Sequence, residues 1–202
     1  MSADRHVVLL PEPIEEEARG LLEKAGLAIV QSPDPKPETV KPLMAGAEAV
    51  VLRTGIRMSA DLIEAGARLV AISRTGAGFD NVDVAAATRR GVIVTSSIGA
   101  NTHTVAEHTL ALVLAAAKAL PALDRETRAG NWKSRHSYLP RDLRGSVLGA
   151  IGFGRIGQEV ARACADVLGM TVLAHDAYLP EAAQKGHSSW VIFCGLEDLL
   201  AK

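Results

Sequence analysis

The sequence predicts an α/β protein with parallel sheets, and three observations support this fold class. Short β-branched and apolar runs alternate along the chain with segments of helical periodicity, which is the pattern of repeated strand–helix units. The chain has 202 residues, of which 48% are hydrophobic and 22% charged, as in ordinary globular domains. The strand–helix rhythm also stops near Asn101 and restarts after residue 144, so we expect two domains, residues 1–100 and 101–202.

Five strands alternating with four helices are predicted before this boundary. The strands are the apolar runs 6–10, 27–31, 49–53, 69–73 and 91–95. The helices follow apolar periodicity over 14–25, 37–45, 59–65 and 84–90. Ser59 or Asp61 lies at the expected start of the third helix, and Gly66 is its expected end. Five units of this kind in about 100 residues predict a flavodoxin-like parallel-sheet domain.

The second half of the chain begins with a long predicted helix over residues 101–128. Thr104 and Glu107 have the spacing of a capping box, in which each side chain satisfies a free backbone amide of the other residue. Pro121 is expected to kink this helix, because proline removes a hydrogen-bond donor from the helix interior. The apolar stretch 110–123 is predicted to be a buried helix and not a membrane span.

A glycine-rich motif follows the polar loop 130–144, in which Trp132 is the predicted apolar anchor. Residues 146–157 read S-V-L-G-A-I-G-F-G-R-I-G, a strand that runs directly into a helix. The motif has GxGxxG spacing and consists of Gly152, Phe153, Gly154, Arg155, Ile156 and Gly157. In this context the first glycine permits a tight turn, the second lets the backbone approach a pyrophosphate, and the third lets the helix pack close to the strand. The free amides near Arg155 and Ile156 would face the phosphates at the positive end of the helix dipole.

A single acidic residue follows the next predicted strand, Thr171–His175. This residue, Asp176, lies nineteen positions after Gly157, close to the spacing of the acid that hydrogen-bonds the ribose of NAD. Its carboxylate would repel the 2′-phosphate of NADP, and Ala177 and Tyr178 offer no arginine to reverse this. The alternative is a glycine-rich turn followed by an aspartate that only caps a loop. The combined features predict the first part of a Rossmann NAD-binding domain, with NAD as the cofactor.

A second glycine-containing loop, R-T-G-A-G-F-D-N-V-D from Arg74, follows the fourth predicted strand. The glycines on either side of Ala77 expose backbone amides at the sheet edge where open α/β sheets bind ligands, and such amides can hold a small carboxylate. The alternative is a simple turn into the next helix, with Asp80 and Asn81 as turn and cap residues. The residues alone support the two interpretations equally.

The composition excludes several other classes of function. The chain has 22 Lys+Arg and 23 Asp+Glu, so its net charge of -1 gives no electrostatic reason to bind nucleic acid or an anionic membrane. Cys164 and Cys194 lack metal-ligand spacing, so no metal site is predicted and both are expected to be buried, reduced thiols. The apolar run within residues 1–10 is too short for a signal peptide, which predicts a soluble, cytoplasmic protein.

The chain resembles the D-isomer-specific 2-hydroxyacid dehydrogenases, a family that includes phosphoglycerate dehydrogenases and hydroxypyruvate reductases. The resemblance covers nearly the whole chain, and its segments occur in the family's order. They are R-T-G-A-G-F-D-N-V-D-V-A-A-A-T-R-R-G from Arg74, G-A-N-T-H-T-V-A-E-H-T-L-A-L from Gly99, L-R-G-S-V-L-G-A-I-G-F-G-R-I-G from Leu143 and H-D-A-Y-L-P from His175.

The resemblance implies specific roles for the two glycine-containing segments. Residues 152–157 and Asp176 match the family's NAD pyrophosphate and ribose sites. The implied loop for the substrate carboxylate, which also touches the nicotinamide end, consists of Gly76, Ala77 and Gly78. The implied neighbouring substrate-side loop consists of Arg53, Thr54 and Gly55. His103 and His108 do not match the family's catalytic position and are interpreted as helix-start and helix-surface residues.

The resemblance also implies an activity, the NAD-dependent oxidation of a small 2-hydroxy acid or reduction of a 2-oxo acid, and a homodimer. The family's catalytic Arg, Glu and His are expected beyond Lys202, so no catalytic residue is predicted in this chain. The strand over residues 147–152 is expected to keep an open edge, and with it a tendency to associate. The alternative function is a non-catalytic dinucleotide-binding or partner-binding module on the same scaffold.

Overall fold

A computed structural model describes residues 5–202. Residues 1–4 belong to the stretch 1–10, in which no signal peptide is predicted, and lie outside the described residues. The chain divides into two compact units between Ala100 and Asn101. Each unit has its own parallel β-sheet covered by helices, which confirms the predicted α/β class.

Unit 1, which ends at Ala100, is built on a five-stranded sheet. Its strands are β1 (Val7–Leu10), β2 (Ala28–Gln31), β3 (Ala49–Leu52), β4 (Ala71–Arg74) and β5 (Ile93–Ser96). Its helices are α1 (Glu16–Lys24), α2 (Pro37–Met44), α3 (Ala60–Ala65) and α4 (Val84–Arg89). The strand order is β2-β1-β3-β4-β5, which is the predicted flavodoxin-like order.

The apolar core of unit 1 follows from alternation along the strands and periodicity along the helices. Val50 and Leu52 of β3 are fully buried, whereas Ala49 and Val51, which alternate with them, are only partly buried. Met44 of α2 and Leu62 of α3 pack into the same apolar cluster. Each such side chain contributes about 1.5–3 kcal/mol when fully buried. This packing holds the carboxyl ends of β3 and β4, where the two predicted substrate-side loops begin.

Unit 2 starts with two helices and a short 3₁₀ helix and then continues as strand–helix units. Its strands are β6 (Val147–Ile151), β7 (Thr171–His175) and β8 (Val191–Phe193), in the parallel order β6-β7-β8. Its helices are α5 (Thr102–Ala117), α6 (Leu120–Arg128), α7 (Arg155–Asp166), α8 (Glu181–Lys185) and α9 (Leu196–Leu200), and the 3₁₀ helix is Trp132–His136. The bounds predicted for β7 are confirmed at both ends.

The single long helix predicted over residues 101–128 is wrong, because α5 and α6 are separate helices bent by 63°. The break lies at Ala119, whose φ of 52° is in the left-handed region. Pro121 does not cause it, since this proline lies in the first turn of α6. Proline is tolerated there because the amide it removes has no acceptor within the helix.

Three further predictions for this region are also wrong. The capping box fails because α5 already begins at Thr102 and its N-cap, Asn101, makes no side-chain capping bond. Stretch 110–123 is not buried, since Leu112 is 57% exposed. Trp132 is 68% exposed and anchors nothing among the described residues. The apolar pattern of a segment does not indicate which of its side chains the rest of unit 2 covers.

Within residues 5–202, no single helix is long and apolar enough to cross a membrane. The bent pair α5–α6 meets this criterion only when both helices are taken together, by length and composition alone.

Candidate functional site

The glycine-rich segment of unit 2 forms a tight turn between β6 and α7. The amide of Gly152 donates to the carbonyl of His175 at 2.7 Å, and Gly152 has a φ of 91°, which favours glycine. A Cβ on Gly157 would press directly against the carbonyl oxygen of Gly152. The first and third glycines therefore allow the strand, the turn and the helix to approach one another as the spacing predicts.

The start of α7 leaves its first amides available. Gly154 is the N-cap, and in the part of the chain that the structure describes no side chain caps this helix. A Cβ on Gly154 would have no atom within 4 Å, so its Cα faces open space. Because the first amides of a helix carry the positive end of its dipole, this surface suits a phosphate group.

The carboxylate of Asp176 lies against this turn. Its Oδ2 accepts a hydrogen bond from the amide of Phe153 at 2.7 Å, and its Oδ1 accepts from the amides of Tyr178 and Leu179 at 2.8 and 3.0 Å. These amides, that of Phe153 above all, lower the pKa of Asp176 below its ordinary value. The side chain is therefore an anion that connects the glycine-rich turn to the loop after β7.

The buried side chain of Phe153 anchors the turn to the core of unit 2, a role that was not predicted from the sequence. It is fully buried, and its ring centroid lies 5.3 Å from that of His187, 6.0 Å from Trp190 and 5.2 Å from Phe193. The side-chain amide of Gln158 also donates to the carbonyl of Phe153 at 2.9 Å. A Phe between two glycines signals an apolar contact, but its partners lie 34–40 residues away and have no local signature.

A cavity of about 280 Å³ opens beside Asp176 at the carboxyl ends of β7 and β8. The carboxyl ends of parallel strands are where open α/β sheets bind ligands. The cavity is lined by Ala174, His175, Asp176, Gln184, Phe193, Cys194 and Gly195.

The two predicted substrate-side loops of unit 1 are joined by Asn81. Its side-chain amide donates to the carbonyls of Arg53 and Ile56 at 2.8 and 3.0 Å. Its Oδ1 accepts from Nε of Arg74 at 3.1 Å. The guanidinium of Arg74 in turn lies next to Gly76, since a Cβ there would come within 2.8 Å of Nη1. Loop 53–55 and loop 76–78 are thus brought together.

The alternative interpretation, in which Asp80 and Asn81 are turn and cap residues, names the wrong helix cap. Asp83 caps α4 and accepts from the amide of Ala86 at 2.9 Å. Asn81 is instead used for the connection between the loops. Sequence reasoning missed this role, because an Asn before a helix normally suggests a local turn or cap.

The loop that contains Arg53, Thr54 and Gly55 is also held by the loop after β1. The amide of Gly55 donates to Oε2 of Glu12 at 2.8 Å, and Nη1 of Arg53 donates to the carbonyl of Pro13, also at 2.8 Å. Arg53 lies 3.6 Å from Oε1 of Glu15 as well. Thr54 and Gly55 are exposed. Glu12 was not predicted, because a contact across 43 positions leaves no local signal.

The remaining candidates lie in structural roles. His103 is in the first turn of α5, with ring nitrogens 3.3 Å from carboxylates of Glu107 and Glu159. His108 is exposed on the same helix. Cys164 is buried, which raises the pKa of its thiol, but Cys194 is only partly buried, contrary to the prediction.

The fold and the turn define a class of protein, an α/β protein that combines a flavodoxin-like unit with a Rossmann-type glycine-rich unit. Comparison with known proteins narrows this class. The family described as D-isomer specific 2-hydroxyacid dehydrogenase, catalytic domain, matches residues 8–187. The chain belongs to this family.

Individual relatives agree with this assignment. D-3-phosphoglycerate dehydrogenase of Archaeoglobus fulgidus is 41% identical over 172 residues, which are 85% of this chain and 32% of that protein. Among solved structures, a Thermus thermophilus protein matches with a TM-score of 0.82 and 31% identity over 96% of this chain and 61% of its own. D-lactate dehydrogenase from Aquifex aeolicus, complexed with NAD and lactic acid, matches with a TM-score of 0.83 and 25% identity over 96% and 57%. The chain spans about a third of the length of the curated relatives it matches.

Proposed function

We propose that this chain forms the dinucleotide-binding and substrate-binding parts of an NAD-dependent oxidoreductase acting on the CH–OH group of a small 2-hydroxy acid. The observation that carries the proposal is the contact between Asp176 and the glycine-rich turn, 2.7 Å from Oδ2 to the amide of Phe153. It brings an acceptor for ribose hydroxyls next to the helix amides that suit a pyrophosphate. The NAD complex of the similar Aquifex aeolicus enzyme supports the choice of cofactor.

Each unit has one part in this proposal. Unit 2 binds the cofactor through Gly152, Phe153, Gly154, Arg155, Ile156, Gly157 and Asp176. Unit 1 is the substrate-side domain, in which the amides of Gly76, Ala77 and Gly78 hold the substrate carboxylate and Arg53, Thr54 and Gly55 form the neighbouring loop. No residue of this chain is assigned the proton transfer, and none of its six histidines is promoted to that role.

A bound NAD would supply the hydride acceptor, and the chain's own residues would orient it. Amides at the start of α7 hold the phosphates, and the Asp176 carboxylate hydrogen-bonds the ribose and disfavours a 2′-phosphate. The carboxylate has lone pairs free for this, because three amide donors do not exhaust its two oxygens. The relatives do not favour the alternative of a non-catalytic binding module.

Calorimetric titration of the purified chain with NAD and with NADP tests this proposal. We expect NAD to bind at least about tenfold more tightly, a difference of about 1.4 kcal/mol. We expect Asp176→Ala to weaken NAD binding and to narrow the difference between the two cofactors. Equal affinities for NAD and NADP in the wild-type chain would overturn the ribose role of Asp176.

We also propose a cytoplasmic homodimer. Leu112 of α5 and Leu120 of α6 are more than half exposed, and such apolar residues on adjacent helices support an association surface. Light scattering on the protein eluted from a size-exclusion column measures the mass directly. A monomeric mass at all accessible protein concentrations would contradict the proposed dimer.

A further inference from the structure

The side chain of Asn81 uses its hydrogen-bonding groups to connect separate parts of unit 1. Both N–H groups donate to carbonyls of the loop after β3, those of Arg53 and Ile56, and its oxygen accepts from Arg74 at the end of β4. A side-chain amide is the only neutral group that can donate twice and accept at one position. The contacts therefore require the amide itself, not a polar side chain in general.

Arg74 is a buried cation that forms no ion pair within the part of the chain that the structure describes. Its side chain is among the few buried polar ones, with 8% of the residue exposed. None of the ion pairs found among residues 5–202 includes it. Buried charges are normally paired, because removing an ion from water is costly. Here the neutral Oδ1 of Asn81 accepts from the guanidinium, which lies directly beside Gly76 and is not neutralised by Asn81.

The backbone around Asn81 is held without help from its side chain. The amide of Met58 donates to the carbonyl of Asn81 at 2.7 Å, and the amide of Asp83 donates to the carbonyl of Met58 at 2.9 Å. Ser97 donates its amide to the carbonyl of Gly76 at 3.1 Å, which ties that loop to the end of β5. A change in the Asn81 side chain should therefore disturb the relation between the loops more than the fold of the unit.

We propose that Asn81 is a positioning residue for substrate binding. It fixes the position of the loop after β3 (residues 53–56) relative to loop 76–78. It also keeps the charge of Arg74 available to an anion bound at the amides of Gly76–Gly78. The inference rests on the proposed function, since it takes the 2-oxo or 2-hydroxy acid carboxylate as that anion. A carboxylate at position 81 would pair with Arg74 and cancel the charge, so the amide is a requirement of binding.

Backbone amide signals in nuclear magnetic resonance spectra test this inference on the ¹⁵N-labelled chain with hydroxypyruvate as the probe at saturating NAD. In the wild type we expect the amides of Gly55 and Gly76 both to shift, with one common dissociation constant. Asn81→Asp has the same size and keeps the acceptor for Arg74, but it adds a charge and removes both donations. We expect it to weaken hydroxypyruvate binding at least about tenfold, with the NAD-induced shifts of residues 154–157 unchanged.

Asp83→Ala is the matched control. It removes the cap of α4 two residues away and lowers the melting temperature, but it touches neither loop, so hydroxypyruvate should bind as in the wild type. Asn81→Ala should also lose affinity. If it does not fold, Asn81→Asp and the wild-type titration decide.

Several outcomes would overturn the inference. One is a folded Asn81→Asp that binds hydroxypyruvate within about twofold of the wild type. Another is a wild-type titration in which Gly76 shifts without Gly55, or in which neither shifts. If NAD shifts the amides of residues 154–157 in that same sample, the cofactor part of the proposed function stands while the inference falls. If NAD shifts none of them, the proposed function itself fails.

Discussion

At the scale of single residues, the carboxylate of Asp176 is the most informative group in unit 2. It accepts from three backbone amides, those of Phe153, Tyr178 and Leu179. Hydrogen bonds from these amides favour the anion and lower the pKa of Asp176. The same carboxylate thus stabilises the turn and, in the proposed function, carries the charge that distinguishes NAD from NADP.

The lowered pKa of Asp176 predicts how the stability of unit 2 depends on pH. A carboxyl group with a depressed folded pKa contributes stability above its unfolded pKa and loses it as the pH falls through the folded value. The melting temperature of the wild type relative to Asp176→Asn should therefore be constant from pH 6 to 8 and converge only below about pH 4. A difference that changes near neutral pH would show that another group controls the turn.

The two cysteines should differ in reactivity. Cys164 is buried and burial raises the pKa of its thiol, whereas Cys194 is partly exposed and lines the cavity beside Asp176. Because the thiolate is the reactive species, iodoacetamide should label Cys194 first. Saturating NAD should slow this labelling, as measured by peptide mass spectrometry. Labelling of Cys194 that is indifferent to NAD would mean that the cofactor does not occupy this cavity.

At the scale of elements, β6, the turn and α7 form one strand–turn–helix motif, in which the glycines have different surroundings. Gly157 is needed for packing, because a Cβ there would meet the carbonyl of Gly152, whereas a Cβ on Gly154 would meet nothing. We therefore propose that Gly157 has a structural role and Gly154 a binding role.

Alanine substitutions at these two glycines should have different effects on stability and on NAD binding. Gly157→Ala should lower the melting temperature of unit 2, since the helix must move away from the turn. Gly154→Ala should fold normally but weaken NAD binding about tenfold or more, because the methyl group projects where the pyrophosphate approaches. Gly20→Ala, at an open position of α1, is the control and should leave NAD binding unchanged. Normal NAD binding by Gly154→Ala would place the phosphates elsewhere.

The elements that sequence predicted best are those fixed by local pattern. β7 was predicted with its observed bounds because an apolar run between Gly169 and Asp176 leaves little choice of register. The break at Ala119 was missed because a left-handed alanine has no sequence signature, and Pro121 attracted the prediction instead. The contact of Asn81 with Arg74 in unit 1 and the packing of Phe153 in unit 2 were both missed, because contacts between residues that are not neighbours in sequence define these roles.

At the scale of the whole described chain, β6 lies at an edge of the unit 2 sheet and carries exposed apolar residues. Among residues 5–202, β6 pairs with β7 on one side and with no strand on the other. Val147 and Ile151 of β6 are 47% and 65% exposed. An apolar strand with a free edge is a template for pairing with another chain.

Any association through this edge, as distinct from the surface of α5 and α6 proposed for the homodimer, should respond to a charge on β6. Val147→Lys should lower the apparent mass measured by light scattering at high protein concentration, because lysine on an edge strand opposes pairing. Val167→Lys is the control, since Val167 is more exposed but lies after α7 and outside the sheet. Equal effects of the two substitutions would assign the association to general hydrophobicity.

A crystal structure of the chain with NAD tests the central claim most directly. We expect the pyrophosphate on the amides at the start of α7, within hydrogen-bonding distance of Gly154–Ile156, and the adenosine ribose hydroxyls on the carboxylate of Asp176. A dinucleotide bound anywhere else, or ribose hydroxyls out of reach of Asp176, would contradict it.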